Sequence, residues 1–316
     1  MSVPPAPPLA EALARGPLVL DGGLSNQLQA QGCDLSDALW SARLLADDPA
    51  QIRAAHTAYL RAGARVLITA SYQASHRGFA RRGVDRAGTD ALLRRSVTLA
   101  RAAADGAAGE PVWVAASVGP YGAVLADGSE YRGRYGLTVA ELERFHRPRI
   151  EALAAAGPDA LALETVPDAD EAEAMLRAAA GCGVPVWLSY TVAADRTRAG
   201  QSLADAFALA AGNDQVIAVG VNCCDPRDAG PAVRLAARVT GKPVVVYPNS
   251  GERWDDRRGT WEGEAAYDPA AARDWLRDGA RLIGGCCRVG PEGIARVARA
   301  LETPGAPRGA GAPGAP

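Results

Sequence analysis

The sequence predicts an α/β fold, a single-domain (β/α)8 TIM barrel, and three observations lead there. First, eight short apolar or β-branched runs recur along the chain, at 18–22, 65–72, 112–119, 160–166, 184–191, 215–223, 243–249 and 281–287. Each is nearly continuous in hydrophobicity, as expected of strands buried on both faces in a parallel sheet. Second, Ala-, Leu- and Arg-rich stretches suited to helices alternate with them, at 49–62, 89–105, 138–156, 168–180, 202–211, 226–239, 268–278 and 291–301. Third, eight strand–helix pairs in about 290 residues match the size of such a barrel, about 250 residues plus insertions. A doubly wound open sheet competes. It would be favoured by a Gly-rich dinucleotide turn after the first strand, a pattern that DGGLSNQL does not follow.

The helix boundaries have local reasons. Thr138 and Asp168 suit N-caps, and Pro226, Pro269 and Pro291 suit first turns. Glycine precedes the strands in RAGARVLITA and RDGARLIGG, where it serves as a helix C-cap. The ends read differently. Residues 1–10 and the Pro/Gly/Ala tail 303–316 are too low in complexity to bury a core and are expected to be disordered, leaving 11–302 as the barrel.

Composition narrows the function. The 316 residues are 48% hydrophobic and 22% charged, with a formal net charge of −2, so nothing suggests nucleic acid or an anionic membrane surface as partner. No apolar run approaches the roughly 20 residues of a membrane span. The start, MSVPPAPPLAEALARG, lacks the basic and apolar regions of a signal peptide. Six cysteines without a secretory signal argue for reduced thiols or metal, and for a cytoplasmic setting.

In a barrel, chemistry gathers at the C-terminal ends of the strands. There the sequence places Asp21, Tyr72 and Gln73, Ser117, Glu164, Tyr190, Asn222 and Cys223, Asn249, and the adjacent pair Cys286 and Cys287. Three cysteines, 223, 286 and 287, thus converge from the sixth and eighth strands. Three thiolates with one vacant position describe a catalytic zinc site rather than a closed structural one. Cysteine also serves as a small hydrophobe, and that reading suits Cys33 and Cys182, off any strand end, and Cys224, on the opposite side of its strand from Cys223. GGCCRVGPEG also resembles a phosphate cradle, but phosphate needs amide donors and gains nothing from two thiols. The glycines then let the backbone bend so that neighbouring thiols reach one ion. His56, His76 and His146 are scattered and read as structural or surface. Lys242, the only lysine, precedes the seventh strand at the opposite end, which disfavours Schiff-base chemistry.

An open three-thiolate zinc site suits a substrate thiol, which loses its proton on binding and becomes nucleophilic without a general base. The expected reaction is alkyl transfer to that thiol. Glu164 and Asp21 are candidates to hold an ammonium group of the substrate, and Asn249 to supply an oxygen as temporary fourth ligand. The long segments after the third and seventh strands carry Tyr121, Tyr131, Tyr135, Trp254 and Trp261 among acidic residues. Aromatic faces and carboxylates suit a cationic donor such as a sulfonium.

These segments resemble the zinc-dependent homocysteine S-methyltransferases, within them the S-methylmethionine–homocysteine branch. The resemblance is carried by LDGGLSNQLQAQG, ITASYQAS, SVGPYGAVLADGSEYRG, FHRPRIEAL, LALETVP, VGVNC, VVYPNSGE and ARLIGGCCR, in order over roughly residues 18 to 300. It implies a (β/α)8 barrel with Cys223, Cys286 and Cys287 as zinc ligands. It implies that Asp21 and Glu164 hold the homocysteine amine, and that Asn249 can ligate zinc when substrate is absent. The implied reaction moves a methyl group from S-methylmethionine, or less favourably S-adenosylmethionine, to homocysteine and yields methionine. Selenocysteine or another thiol as acceptor, betaine as donor, or a zinc- or redox-responsive regulatory domain are the alternatives.

Overall fold

The computed structural model describes residues 6–302 except 38, 108 and 256–259. The eight expected strands are present, trimmed at their ends: β1 (Leu18–Val19), β2 (Val66–Ile68), β3 (Trp113–Val118), β4 (Ala160–Val166), β5 (Val186–Tyr190), β6 (Val216–Asn222), β7 (Val244–Tyr247) and β8 (Ala280–Ile283). All their pairings are parallel, in the ring order β1-β8-β7-β6-β5-β4-β3-β2. The ring closes where Leu20 bridges Val66, with Asp21 N donating to Val66 O at 3.1 Å and Arg65 N to Val19 O at 2.8 Å. Closure removes the open edges that a doubly wound sheet would keep.

The strands owe their continuous hydrophobicity to two different cores. Along β4, Leu161 and Leu163 face outward onto the helices, while Ala160 and Ala162 line the barrel axis. The outward layer is matched by helical stripes such as Ala172, Met175, Leu176 and Ala179 on the helix Ala169–Ala179, spaced for one face. Two expected caps form: Thr138 closes a capping box with Glu141, and Asp168 accepts from Asp170 N, whereas Pro269, expected in a first turn, precedes the N-cap Ala270 of the helix Ala271–Arg277. Pro226 opens its helix behind Asp225, which accepts from Arg227 N.

The axial core is sealed at the bottom by a helix the sequence reading did not expect. Leu9–Arg15 begins inside the stretch 1–10 expected to be disordered, and Leu9 and Leu13 are buried against Leu20, Trp113, Trp187 and Leu282. Trp113 Nε1 donates to Pro7 O at 2.8 Å, so order reaches back before the helix. The tail 303–316 lies outside the described residues.

Toward the top the axis turns polar. Ser117, Glu164, Ser189, Asn222 and Tyr247 sit one layer above the apolar residues, each two residues beyond an inward-facing position on its strand. The segment after β3 folds into two short helical turns, Tyr121–Leu125 and Ser129–Tyr131. The insertion after β7 carries a hairpin of Arg253–Asp255 with Thr260–Glu262. Among the described residues no helix is long and apolar enough to cross a membrane.

Candidate active site

The three cysteines meet at the barrel mouth. Cys223 Sγ lies 2.8 Å from Cys286 Sγ and 3.6 Å from Cys287 Sγ, and all three sulfurs fall within 4.8 Å of one another. The backbone explains how. On β6 the inward positions are Ala218, Gly220 and Asn222, so strict alternation would turn Cys223 outward. Instead Cys223 adopts φ +51°, a left-handed conformation that ends the strand and swings the thiol to the mouth. Such strain in a non-glycine residue costs about 1–3 kcal/mol and concentrates at functional positions. Cys224 then takes the outward place and is buried in the helix-facing core.

The Cys286–Cys287 pair is seated by close approach. A Cβ on Gly285 would lie 2.2 Å from Val289 Cγ1, one on Gly284 2.7 Å from Asp21 O, and one on Gly23 2.7 Å from Cys286 O. Gly284 and Gly285 are therefore required for packing against the first loop and against Val289, and neither shows a positive φ. The left-handed residue of this turn is Arg288, at φ +66°, whose N donates to Asn26 Oδ1 at 2.7 Å. Cys286 N donates to Pro248 O at 2.7 Å, and Cys287 N to Asn249 Oδ1 at 3.2 Å. The Asn249 side-chain oxygen thus stands beside the cluster, engaged with a ligand candidate's amide.

Three soft donors this close form a set that a thiophilic cation fits. Contact with Cys223 pushes the Cys286 thiol up and holds the Cys287 thiol down, so the cluster shares protons and does not ionise fully on its own. A bound cation would relieve that crowding of charge, and three ligands leave a fourth position for substrate.

Two carboxylates lie beside the sulfurs. Glu164 accepts from Ser117 Oγ and, at 2.8 Å, from Tyr247 OH, and it is 5% exposed. Burial lifts its pKa to about 7 despite those two donors, with the Cys223 thiolate adding to the rise. Asp21 is 2% exposed and accepts from Ile68 N at 2.9 Å; burial raises its pKa well above the usual carboxylate range, and Glu164 adds to the rise. A register shift between Leu163 and Val166, with Thr165 at φ +58°, marks the bulge that ends β4 beside Glu164. Asn222 locks that bulge: its Oδ1 accepts from Thr165 N at 2.7 Å and from Ser189 Oγ at 2.9 Å, and its Nδ2 donates to Thr165 Oγ1 at 2.7 Å. The same side chain therefore ties the Glu164 bulge to the residue before Cys223.

Other strand-end residues take different places. Tyr190, expected at the mouth, turns into the helical layer and donates to Ala206 O at 2.8 Å. Gln73 supports the segment after β3 by donating to Ala123 O at 3.2 Å. Cys33 and Cys182 stay apart from the sulfur cluster. His56 is buried with both ring nitrogens unpartnered and held neutral by burial, its pKa about 4. His146 pairs with Glu171 at 2.9 Å, and His76 with Asp90 at 2.7 Å. Lys242 donates to Asn213 O at 3.0 Å, before β7 at the opposite end.

Sequence reasoning missed the polar layer of Ser189 and Tyr247 and the role of Glu130. Tyr131, expected only as a loop aromatic, places its hydroxyl 3.5 Å from Cys223 Sγ. Glu130 beside it is 7% exposed, and burial raises its pKa to about 7. The side chains of Trp254 and Trp261 lie outside the described residues.

A closed barrel whose C-terminal mouth brings three thiols together beside buried carboxylates defines a class: a barrel enzyme with a thiol cluster able to hold a soft metal. The comparisons specify the family. The homocysteine S-methyltransferase family profile matches residues 18–301, and the chain belongs to that family. It is 46% identical over 290 residues to a homocysteine S-methyltransferase of Escherichia coli, covering 89% of this chain and 94% of that one. It is 45% identical to homocysteine S-methyltransferase 4 of Zea mays, covering 92% and 90%. The crystal structure of the E. coli homocysteine methyltransferase MmuM, in a metallated form, superposes with a TM-score of 0.83 at 43% identity, covering 93% of this chain and 99% of that one.

Proposed function

We propose that this chain transfers a methyl group from S-methylmethionine to homocysteine, forming two molecules of methionine, with S-adenosylmethionine as a lesser donor. Cys223, Cys286 and Cys287 are the zinc ligands in this reading. Bound zinc supplies a lowered thiol pKa, so that the substrate sulfur is a thiolate at neutral pH. The observation that carries the reading is the convergence of the three sulfurs beside Glu164 and Asp21.

The remaining chemistry belongs to the chain's own residues. Glu164 and Asp21 are carboxylates that burial makes reluctant to ionise, and a substrate ammonium restores their charge. Ser117 and Tyr247 fix the Glu164 carboxylate, so the amine is held at a set distance from the sulfur cluster. Asn249 occupies the Cys287 amide and stands ready beside the open position. The homocysteine sulfur lone pair attacks the donor methyl carbon. The electron pair of the breaking C–S bond returns to the donor sulfur, which leaves as a neutral thioether. Proximity and alignment supply most of the acceleration, because the sulfonium is already an activated leaving group.

The test is methionine formation from homocysteine and S-methylmethionine by wild type and Cys286→Ser, with zinc measured on both. Wild type is expected to hold about one zinc per chain and to turn over, and the variant to lose both. Turnover by a zinc-free variant would refute the mechanism. Preference for betaine, or for selenocysteine as acceptor, in initial-rate assays would replace the substrates.

A further inference from the structure

Glu130 is a buried acid that the site as described does not use. It lies in the turn Ser129–Tyr131, 7% exposed, and its Oε2 has no hydrogen-bond partner. It takes part in none of the ion pairs among the described residues. The ionisable groups that act on its carboxyl, Cys223 and Asp127, are both acidic. Arg198 stacks over the ring of the next residue, Tyr131, with its guanidinium carbon 5.9 Å from the centroid. An unpaired carboxylate in such surroundings costs several kcal/mol unless a cation arrives.

Its position is not accidental slack in a loop. Glu171 accepts from Tyr121 N at 2.6 Å and, inside the core, from His146 Nε2 at 2.9 Å, and Arg149 donates to Gly119 O at 2.9 Å. A Cβ on Gly122 would lie 2.4 Å from Glu130 N, so the two turns of this segment are pressed together. The next residue, Tyr131, reaches Cys223 Sγ at 3.5 Å. The Tyr72 ring packs on Gly119 at the end of β3, where an added Cβ would lie 2.6 Å from its Cδ2, and Arg149 donates to Tyr72 O at 3.3 Å. Glu130 is thus held in a packed turn, one residue from the side chain that reaches the sulfur cluster.

We propose that Glu130 is the counter-charge for the sulfonium of the methyl donor, with Tyr72 and Tyr131 forming the aromatic wall of that subsite. This rests on the function proposed above and identifies where its donor binds. In-line transfer requires the donor sulfur on the open side of the cluster, which is the side this proposal assigns to Glu130. A sulfonium has no N–H or O–H to donate. It is therefore stabilised by a nearby carboxylate and by aromatic faces rather than by directed hydrogen bonds. The charge disappears from the donor sulfur as the methyl leaves. Glu130 consequently favours the bound donor more than the transition state, so removing it raises KM, lets kcat rise with it and changes kcat/KM less than either.

The test compares S-methylmethionine with homoleucine, its neutral isostere in which a CH replaces the sulfonium and the amino acid part is unchanged. Binding of each is measured by calorimetry to zinc-loaded protein, with homoserine holding the acceptor pocket. Wild type is expected to prefer the sulfonium by about tenfold or more, and Glu130→Gln to lose most of that preference while keeping its affinity for homoleucine. Glu130→Asp, which keeps the charge, retains part of it. Equal binding of the two ligands by wild type overturns the proposal whether or not the variants fold, and so does an undiminished preference in Glu130→Gln. Methionine synthesis without a sulfonium preference leaves the proposed reaction standing and removes Glu130 from it. A preference without methionine synthesis does the reverse.

Discussion

Replacing Glu164 by glutamine should make the metal-free protein more stable at alkaline pH while abolishing its activity. The carboxyl sits at 5% exposure, and burial lifts its pKa from 4.5 to about 7. At about 1.4 kcal/mol for each tenfold step in the proton equilibrium, that gap is worth about 3 kcal/mol. The sign follows from which state binds the proton more tightly. Between 4.5 and about 7 the folded protein keeps a proton that the unfolded chain has released. Wild-type stability therefore falls as pH rises through that window. Glutamine has no such proton to lose. Its amide still reaches Ser117 and Tyr247, and the Tyr247 hydroxyl can turn its proton to Ser189 Oγ at 2.9 Å. Urea unfolding of reduced, metal-free wild type and Glu164→Gln at about pH 4.5 and about pH 8 should show the variant's advantage growing by about 3 kcal/mol. The same variant should bind homocysteine far more weakly, having no charge for the ammonium. A stability difference that does not change with pH would refute the reasoning, because it would mean that Glu164 titrates alike in folded and unfolded chains.

Two further outcomes test the frame around the site. Leu13→Ala empties a buried position in the plug at the bottom of the barrel, where Leu13 is 1% exposed. It should cost about 2–5 kcal/mol in denaturant while leaving the KM for homocysteine unchanged, since the mouth is at the other end. Gly285→Ala puts a methyl 2.2 Å from Val289 Cγ1 and must displace the turn that carries Cys286 and Cys287. Zinc affinity, read by chelator competition, should fall about tenfold or more, as it does when groups supporting metal ligands are disturbed.

Much of this was legible in the sequence, and the exceptions have physical causes. The eight strands stand out because a barrel wall is apolar on both faces, so periodicity was not needed to find them. The cysteines stand out because they fall at strand ends. What sequence could not supply was the phase of each strand at its last residue. Tyr190 lies on the helix-facing side of β5. Strict alternation would turn Cys223 outward from β6, and a left-handed turn that no pattern announces brings its thiol to the mouth instead. Gly284 and Gly285 were read as bend residues, whereas they are contact residues whose partners, Asp21 and Val289, come from two different loops. The plug helix was hidden by its neighbours: a proline-rich start masked Leu9 and Leu13, which share one helical face. Glu130 was invisible for a related reason. An acid in a loop is ordinary, and only the burial of its unpartnered oxygen marks it out.

These features share one electrostatic logic. The strand ends and the segment after β3 collect acids that are costly to ionise alone: Asp21, Glu164, Glu130 and a cluster of three thiols. Asp21 is raised in part by Glu164, while Glu164 and Glu130 are each raised in part by Cys223, so each negative charge makes the next more expensive. A cation delivered to any one position lowers that expense for the others. In the proposed function a bound metal would ionise the thiols, an ammonium beside Glu164 and Asp21 would fix their charge, and a sulfonium beside Glu130 would do the same there. In that reading, binding of the acceptor amine should tighten binding of the cationic donor. The coupling is reciprocal, so a saturating donor should lower the apparent dissociation constant of the acceptor by the same factor. Glu130→Gln should weaken that coupling, because it removes the charge through which the donor takes part.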